Sequence, residues 1–347
     1  MSFLSVALLV MFMSSLSILF LTPLAEKFGL VDVPNQRKLH QGHIPLIGGL
    51  SIYIGLAVGI LLFAAPGNGY VTYMVCSSLI VVLGVMDDSW DISPLVRLVV
   101  QALVAFIMIV GAGLHISNVG DLFGQGNLYI GYGGVLLTIV AVLAGINAFN
   151  MIDGIDGLLG INSMITFLGL GLLFFLKGDV NSLYMSLFMV VALIPYLAVN
   201  MGIVKVRKIF MGDTGSMLIG FTVVWLLVKG SQGAEPAFST STALWLVAFP
   251  VMDMVRVMLC RMHDGKPVFK ADRTHLHHLL LLRYANRYLV LVKICSLSLL
   301  FVLTGVLLPM FGWSESAIFL LFLASFSVYV VSLARMGKKW ISRSQRV

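Results

Sequence analysis

Long apolar stretches alternate with short polar loops along almost the whole chain. A helix needs about 20 mainly apolar residues to cross the hydrocarbon core of a bilayer. On that basis the pattern predicts eleven spanning helices, at residues 3–24, 44–64, 70–86, 94–113, 131–149, 158–176, 182–200, 216–228, 242–259, 291–311 and 316–334. The eighth of these is short for a span. The predicted fold class is therefore all-α, a polytopic integral membrane protein with one transmembrane domain over residues 1–347.

The composition agrees with this pattern. Hydrophobic residues make up 59% of the 347 residues, charged residues make up 11%, and the mean hydropathy is +1.02. A soluble globule with this composition would lack polar surface. The first apolar stretch has neither a basic leader region nor a small-residue cleavage site, so we expect a retained helix. Cys76, Cys260 and Cys295 are scattered, which predicts neither a disulfide framework nor a thiolate metal site.

Basic residues are concentrated in alternate loops, and the loops between them hold only Lys177 and Lys229. Because basic loops stay on the cytoplasmic side, the N-terminus is predicted outside and the C-terminus in the cytoplasm. The loops near 25–44, 87–95, 150–157, 201–215 and 261–290 then face the cytoplasm. The net charge of +7 is accordingly a topology signal with some attraction for anionic membrane lipids, and it does not indicate nucleic-acid binding.

Three carboxylates, Asp87, Asp88 and Asp91, lie within five residues at the end of the third predicted span. Carboxylates this close repel one another, and a loop beside the membrane is a costly place for them without a cation. The alternative is a solvated turn whose aspartates cap the helix that begins near Pro94.

Oxygen-bearing side chains recur every third residue from the end of the fifth predicted span, at Asn147, Asn150, Asp153 and Asp156. Amides and carboxylates are hard oxygen ligands that suit Mg²⁺ or Mn²⁺ held together with substrate phosphates. Helix capping and turn formation would explain Gly154 or Gly157, but hardly all four side chains.

A third polar element, residues 210–216, follows Lys205, Arg207 and Lys208 and precedes the eighth span. Small residues that open a helix present free backbone N–H groups for a phosphate, and Asp213 could offer a carboxylate to a metal. The spacing is not that of a P-loop. Asp213 as a simple N-cap is the competing interpretation.

The last large loop contains His275, His277 and His278, after Arg273. His275 and His278 are three residues apart and would share one face of a helix, a spacing that could suit zinc. The excess of carboxylates over thiolates elsewhere and the adjacent arginine favour phosphate binding instead. A purely structural cluster of histidines is the remaining alternative.

The first cytoplasmic loop adds Arg37 and Lys38, followed by the pair Gly48 and Gly49 at a helix start. All five polar elements are thus predicted on one side of the membrane. Together they would form a carboxylate-rich metal site surrounded by arginine, lysine and histidine. Transfer of a phosphorylated group from a soluble diphosphate donor to a membrane-borne acceptor requires such a site.

The chain resembles the polyprenyl-phosphate N-acetylhexosamine-1-phosphate transferases over essentially its whole length. The motifs that carry the resemblance are the loop 37–49, the DDxxD pattern of Asp87, Asp88 and Asp91, the NAFNMIDGIDGL run at 147–158, the MGDTGS run at 211–216, and the HxHH pattern of His275, His277 and His278. Each motif alone is moderately specific, whereas five in this order are highly specific.

The resemblance is closest to the bacterial branch that uses undecaprenyl phosphate. It implies that undecaprenyl phosphate attacks UDP-N-acetylglucosamine, giving undecaprenyl-diphospho-N-acetylglucosamine and UMP. It also implies Mg²⁺ or Mn²⁺ as cofactor, a bacterial inner-membrane location with the active site facing the cytoplasm, and a role in O-antigen or enterobacterial common antigen synthesis. A homodimer is compatible with the family.

The resemblance also implies a role for each matching residue. Asn150 and Asp213 resemble metal ligands. The residues that resemble the catalytic carboxylates are Asp87, Asp88, Asp91 and Asp153. Those that resemble substrate contacts are Arg37, Lys38, Asp156, Lys208, Phe210, Arg273, His275, His277 and His278, with Phe210 stacking on the base. Because a phosphate monoester with a second pKa near ~6 is already largely dianionic, we favour positioning by Asp88 over proton removal.

Three alternatives stay open. The peptidoglycan branch, which transfers phospho-N-acetylmuramoyl-pentapeptide, has a lysine where Asp91 stands and a different histidine pattern. A secondary transporter would carry ionisable residues near the bilayer midplane. The middles of the predicted spans carry almost none, although Pro195 and Pro250 could kink two helices. A non-catalytic membrane scaffold would not need three acidic clusters and a histidine cluster on one side.

Overall fold

The computed structural model describes residues 2–33, 42–63, 69–265 and 274–344, with side chains as far as residue 334. Its helices are α1 (Phe3–Phe28), α2 (Gly48–Phe63), α3 (Tyr70–Trp90), α4 (Pro94–Ala112), α5 (Gly133–Met151), α6 (Leu158–Lys177), α7 (Val180–Asn200), α8 (Gly212–Ser231), α9 (Thr240–Leu246), α10 (Ala248–His263), α11 (Leu276–Tyr284), α12 (Arg287–Met310) and α13 (Glu315–Ser344). A short antiparallel pair, β1 (Val31–Asp32) and β2 (Ile44–Pro45), precedes α2.

The helices confirm a polytopic membrane protein. Within the described ranges, nine helices are long and apolar enough to cross a membrane, and the bent pair α9–α10 would make ten. The helix at the second predicted span, α2, has 16 residues. At a rise of 1.5 Å per residue it is about 24 Å long, shorter than a typical hydrocarbon core of about 30 Å. The count of eleven spans therefore stays a prediction.

The ninth predicted span is not one continuous helix. It is divided into α9 and α10, which meet at an angle of 79° around Val247. Pro250 has no N–H to donate to the carbonyl of Leu246, and its ring would clash with that carbonyl in a straight helix. The Leu246 carbonyl instead accepts a hydrogen bond from Thr166 Oγ1 at 3.1 Å. Pro250 thus explains the break in the helix, and the Thr166 hydroxyl replaces the N–H that the Leu246 carbonyl lacks.

The short eighth span proves to be the central helix of the bundle. Helix α8 has 20 residues, and 89% of the residues in its most apolar stretch are buried between other helices. Its neighbours include α2, α3 and α5. Because such a helix faces protein rather than lipid, it tolerates the glycine, serine and threonine that lower its hydropathy and made the span look short.

Glycines allow α3 and α8 to approach closely at the end of the bundle where α8 begins. A Cβ atom at Gly84 of α3 would overlap the backbone of Thr214, and one at Gly49 of α2 would overlap the backbone of Gly215. The N–H groups of Gly48 and Gly49 also donate to the carbonyls of Phe210 and Met211, each at 3.0 Å. The first turn of α8 is therefore held between two neighbouring helices.

We expect Gly84→Ala to lower the melting temperature, because the added methyl group must push α3 away from α8 at a cost of about 1–3 kcal/mol. Gly171→Ala in α6 is the matched control, since its Cβ would lie at an ordinary 3.7 Å from Leu183 Cδ1. Thermal unfolding of both variants in detergent checks this expectation. Equal melting temperatures would contradict the close approach.

Candidate active site

The polar segments of the predicted site meet at one end of the bundle. There the end of α3 contacts the start of α8, the end of α5 contacts α8, and the loop 201–211 contacts the loop 152–157. The opposite end has its own polar contacts. Gln232 accepts hydrogen bonds from the backbone of Ser117 and Asn118, and Glu315 accepts one from Asp121. The segments that carry the motifs are thus brought together, as the sequence predicts.

Asp88 caps the first turn of α8. Its Oδ1 accepts the Asp213 N–H at 2.7 Å, and its Oδ2 accepts the N–H of Thr214 at 3.1 Å and the hydroxyl of Thr214 at 2.7 Å. The expectation that these N–H groups are free to bind phosphate is therefore wrong, because a carboxylate already occupies them. Asp213 is not the N-cap of α8 but lies within its first turn.

The other two carboxylates of the DDxxD pattern have different surroundings. Asp87 is buried, accepts the Ile92 N–H at 2.9 Å and forms an ion pair with Arg97 at 2.7 Å. It also lies close enough to Asp213 for the two carboxylates to repel each other. Asp91 ends α3 in the left-handed conformation, with an exposed side chain. The left-handed backbone conformation of Asp91 is therefore explained by its position as the C-cap of α3.

Asn150, at the end of α5, contacts the start of α8 directly. Its Nδ2 lies 2.5 Å from Asp213 Oδ1 and 2.9 Å from Ser216 Oγ. Asn147, one helical turn earlier, instead donates to Gln101 Oε1 at 3.0 Å. Of the two asparagines, only Asn150 is therefore directed at the acidic cluster.

The loop after α5 carries Asp153 and Asp156. Asp153 is exposed at its surface, but the protein around it reduces its hydration. This desolvation, followed by the nearby carboxylates of Asp213, Asp88 and Asp156, raises the pKa of Asp153 to about 7. Asp156 forms an ion pair with Lys208 at 2.6 Å. A second basic residue, Arg287, lies 3.7 Å from the same carboxylate oxygen of Asp156.

Lys208 also joins Asp156 to Phe210. The Lys208 ammonium lies 5.2 Å from the centre of the Phe210 ring, within the range of a cation–π contact. Asn200, at the end of α7, supports both loops, because its Oδ1 accepts the Gly157 N–H and its Nδ2 donates to the Ile209 carbonyl. The predicted substrate contacts Asp156, Lys208 and Phe210 thus form one group.

The prediction that His275 and His278 share one face of a helix is wrong, because His275 lies outside the helix. His275 precedes α11 as its N-cap, and its Nδ1 lies 2.8 Å from Asp253 Oδ2 in a buried contact. His277 is 2% exposed, and neither of its ring nitrogens has a hydrogen-bond partner among the described residues. Burial, followed by the neighbouring His278 and His275, lowers the pKa of His277 to about 3. His278 is half-buried.

Some predicted contacts lie outside the described residues, namely Arg37, Lys38 and Arg273. Three charged residues with buried or partly buried ion pairs were also not predicted from the sequence. The sequence did not identify Arg97 as the ion-pair partner of Asp87. The ninth predicted span departs from the expectation that the middles of the spans carry almost no ionisable residues, because Asp253 and Arg256 are buried in α10. Two opposite charges three residues apart in an apolar helix were the signal that could have identified them.

The donor chemistry around Asp213 fits a hard divalent cation. Asp88, Asp153 and Asp213 have no ion pair with a basic side chain in the described part of the chain, whereas Asp87 and Asp156 do. Carboxylates without a basic partner, beside the side-chain amide of Asn150, suit Mg²⁺ or Mn²⁺. Within the same residues, however, no three His, Cys, Asp or Glu side chains are already arranged around a common metal position.

Comparison with known proteins places these motifs in a family. The model of glycosyl transferase family 4 matches residues 70–231. The undecaprenyl-phosphate alpha-N-acetylglucosaminyl 1-phosphate transferase of Escherichia coli (strain K12) is 40% identical over 339 residues, which is 96% of this chain and 92% of that protein. A protein of the same name from Yersinia pestis is 38% identical, and the match covers 99% of this chain and 95% of that protein. Another from Haemophilus influenzae is 36% identical, and the match covers 95% of this chain and 94% of that protein. The chain therefore belongs to the undecaprenyl-phosphate alpha-N-acetylglucosaminyl 1-phosphate transferases of glycosyl transferase family 4.

Proposed function

We propose that the protein transfers N-acetylglucosamine-1-phosphate from UDP-N-acetylglucosamine to undecaprenyl phosphate. The products would be undecaprenyl-diphospho-N-acetylglucosamine and UMP. The observation that supports this most is the meeting of Asp88, Asn150 and Asp213 at the start of α8, beside the Asp156–Lys208–Phe210 group. The relatives' shared name supports the acceptor and the sugar.

In this proposal Asn150 and Asp213 hold Mg²⁺ or Mn²⁺. The ion would neutralise charge on the diphosphate and on the phosphorus as it is attacked. Asp88 keeps Asp213 in place through its bond to the Asp213 N–H. Desolvation and the nearby carboxylates of Asp213 and Asp88 raise the pKa of the exposed Asp153. A cation there would favour its ionised form, so Asp153 belongs with the carboxylates that organise the site.

The lipid phosphate would approach near Asp87, Asp88 and Asp91, where the backbone of α3 ends. Arg97 holds the Asp87 carboxylate and supplies a positive charge beside it. A phosphate monoester is mostly dianionic at neutral pH and needs no base to attack. The role of these carboxylates is then to orient the acceptor and the metal, with little proton transfer.

The donor would lie across the Asp156–Lys208–Phe210 group. The Phe210 ring stacks on uracil, and Lys208 is within reach of the diphosphate. His275, His277 and His278, with Arg273, Arg37 and Lys38 from loops outside the described residues, contribute to the same donor site. Neutral His277 offers a donor or an acceptor without adding charge.

We expect Phe210→Ala to raise the KM for UDP-N-acetylglucosamine about tenfold and to leave the KM for undecaprenyl phosphate unchanged. Base–aromatic stacking contributes about 1–3 kcal/mol, and about 1.4 kcal/mol corresponds to a factor of ten. Phe123→Ala is the control, because Phe123 is exposed near the opposite end of the bundle. Steady-state kinetics with each substrate varied in turn provides the measurement, and an unchanged donor KM would contradict stacking.

The same proposal includes the location of the protein. We infer a bacterial inner-membrane enzyme with its N-terminus outside, its C-terminus in the cytoplasm and its active site facing the cytoplasm. The distribution of basic residues supports this orientation, and UDP-sugars are cytoplasmic. The lipid-linked product would start an O-antigen or enterobacterial common antigen type glycan, and the enzyme would act as a homodimer.

The identity of the donor is tested by incubating purified protein with undecaprenyl phosphate and Mg²⁺, and with either radiolabelled UDP-N-acetylglucosamine or UDP-N-acetylmuramoyl-pentapeptide. We expect labelled lipid from the first donor only. Labelled lipid from the second donor alone would still support sugar-1-phosphate transfer, but it would contradict UDP-N-acetylglucosamine as the donor. No labelled lipid from either donor would overturn the transferase proposal.

A further inference from the structure

A buried carboxylate in α10 receives hydrogen bonds from three parts of the chain. Asp253 is 0% exposed. Its Oδ1 accepts the Tyr329 hydroxyl at 2.9 Å and the Leu276 N–H at 3.1 Å, and its Oδ2 lies 2.8 Å from His275 Nδ1. Arg256, also buried, lies 3.4 Å from Oδ1. Four protein groups thus surround the carboxylate.

These contacts determine where α11 begins. Its N-cap residue, His275, provides no side-chain cap of its own. The cap comes from Asp253 instead, because this carboxylate accepts the first N–H of the helix from Leu276. Arg256 adds a second tie by donating to the carbonyl of Thr274. The start of α11 is therefore fixed to α10 and, through Tyr329, to α13.

The segment fixed in this way reaches the acidic loop of the active site. His277 is the second residue of α11, and its ring lies against the backbone of Gly154, so closely that a Cβ at Gly154 would overlap the ring. Gly154 directly follows Asp153. A displacement at the start of α11 would therefore move His277 relative to Asp153 and the diphosphate site.

Stability alone accounts poorly for this cluster. A buried ion pair is often no more stabilising than apolar side chains of the same volume, because both charges lose their hydration. Asp253 and Arg256 lie in an apolar bundle where leucine or methionine would pack without that penalty. Their hydrogen bonds do fix one orientation of the histidine segment, which apolar contacts would not specify.

We propose that Asp253 is a positioning residue for transfer, which with Arg256 and Tyr329 holds the histidine segment 275–278 against the acidic loop in the orientation that binds the donor. This inference rests on the proposed function, since it assumes that the histidines contact the UDP-sugar. Asp253 itself touches neither substrate. It acts through His275 and the backbone of Leu276.

The test uses the full-length protein with three substitutions. Asp253→Asn keeps the size of the side chain but removes the charge shared with Arg256 and His275. Tyr329→Phe removes one hydrogen bond and leaves the ring in place, so it provides a milder variant. Thr242→Val is the control, because Thr242 is equally buried, lies in the adjacent α9 and donates to Gly305 in α12, with no described hydrogen bond to α11.

Two measurements are made on each variant. The first is the KM for UDP-N-acetylglucosamine and for undecaprenyl phosphate. We expect Asp253→Asn to raise the donor KM about tenfold or more and Tyr329→Phe about threefold, with the acceptor KM unchanged. The second is hydrogen–deuterium exchange of residues 274–284, which we expect to be faster in both variants and unchanged in Thr242→Val.

The outcomes separate the two proposals. Wild-type exchange at 274–284 in Asp253→Asn would overturn the positioning role whether or not the enzyme is active. Faster exchange with an unchanged donor KM would mean that Asp253 holds the segment but that the segment does not affect donor binding. That result would overturn the proposed role in transfer. A fall in kcat with both KM values unchanged would also overturn the proposal, because it would mean that the substitution removes folded protein without affecting donor binding. Absence of transfer by the wild type would instead overturn the proposed function, while the exchange result would still decide whether Asp253 holds the segment.

Discussion

Asp213→Asn is expected to lower metal-dependent turnover about 100- to 1,000-fold while the protein remains folded in the membrane. The substitution removes the negative charge that would bind the cation. It spares the backbone N–H that Asp88 accepts, and the new amide oxygen can still accept from Asn150. The first turn of α8 should therefore stay intact, and the effect should be on chemistry rather than on stability.

The measurement is the initial rate of lipid labelling over a series of Mg²⁺ concentrations, together with the melting temperature. Asp179→Asn is the matched control, because Asp179 caps α7 and asparagine is an equally good N-cap. This control should keep the wild-type rate. Undiminished turnover by Asp213→Asn would remove Asp213 from the metal site.

Substitutions of Asp88 are expected to differ according to whether they preserve the cap of α8. Asp88→Ala leaves the N–H groups of Asp213 and Thr214 without their acceptor, a loss of about 0.5–2 kcal/mol for the cap. We therefore expect a lower melting temperature and a loss of turnover of about 100-fold, because Asp213 is displaced. Asp88→Asn keeps one acceptor oxygen, which can serve either the Asp213 N–H or Thr214, while its NH2 group can accept neither. We therefore expect a smaller fall in melting temperature than for alanine and a loss of turnover of about tenfold.

Paired thermal unfolding and turnover measurements on the two Asp88 variants check this difference. Positioning predicts that alanine is worse than asparagine in both measurements. Complete and equal loss of turnover in both variants, with no change in melting temperature, would contradict positioning. Such a result would favour a requirement for the Asp88 charge itself, as in proton removal from the lipid phosphate.

The apolar pattern predicted most of the fold, because a helix that faces lipid must be apolar along its whole length. It was less informative for helices that face protein. Helix α8 was predicted too short, since glycine, serine and threonine in a buried helix lower its hydropathy. The ninth span was predicted as continuous, although Pro250 provided a physical reason for a break.

The motifs predicted which loops meet but not how their side chains pair. The contacts of Asn150 with Asp213 and of Lys208 with Asp156 fit the predicted cluster. The occupation of the α8 N–H groups by Asp88 did not follow from the sequence, because it depends on the close approach of α3 at Gly84.

The histidine segment shows a similar limit. The sequence spacing suggested that His275 and His278 share a face, yet His275 lies before the helix and contacts Asp253, 22 residues earlier in the chain. Contacts between distant segments are not encoded in local periodicity. Asp253 and Arg256 are visible in the sequence as opposite charges in an apolar helix, but the contacts of Asp253 with His275 and Tyr329 are not.

The most direct test of the proposed reaction is the identity of the nucleotide released from UDP-N-acetylglucosamine in the presence of undecaprenyl phosphate and Mg²⁺. Transfer of the sugar with its phosphate breaks the bond between the two phosphates of the donor and releases UMP. We expect UMP in a one-to-one ratio with labelled lipid, and none after the metal is removed with a chelator. Release of UDP would mean that the sugar alone is transferred, which would contradict sugar-1-phosphate transfer at this site.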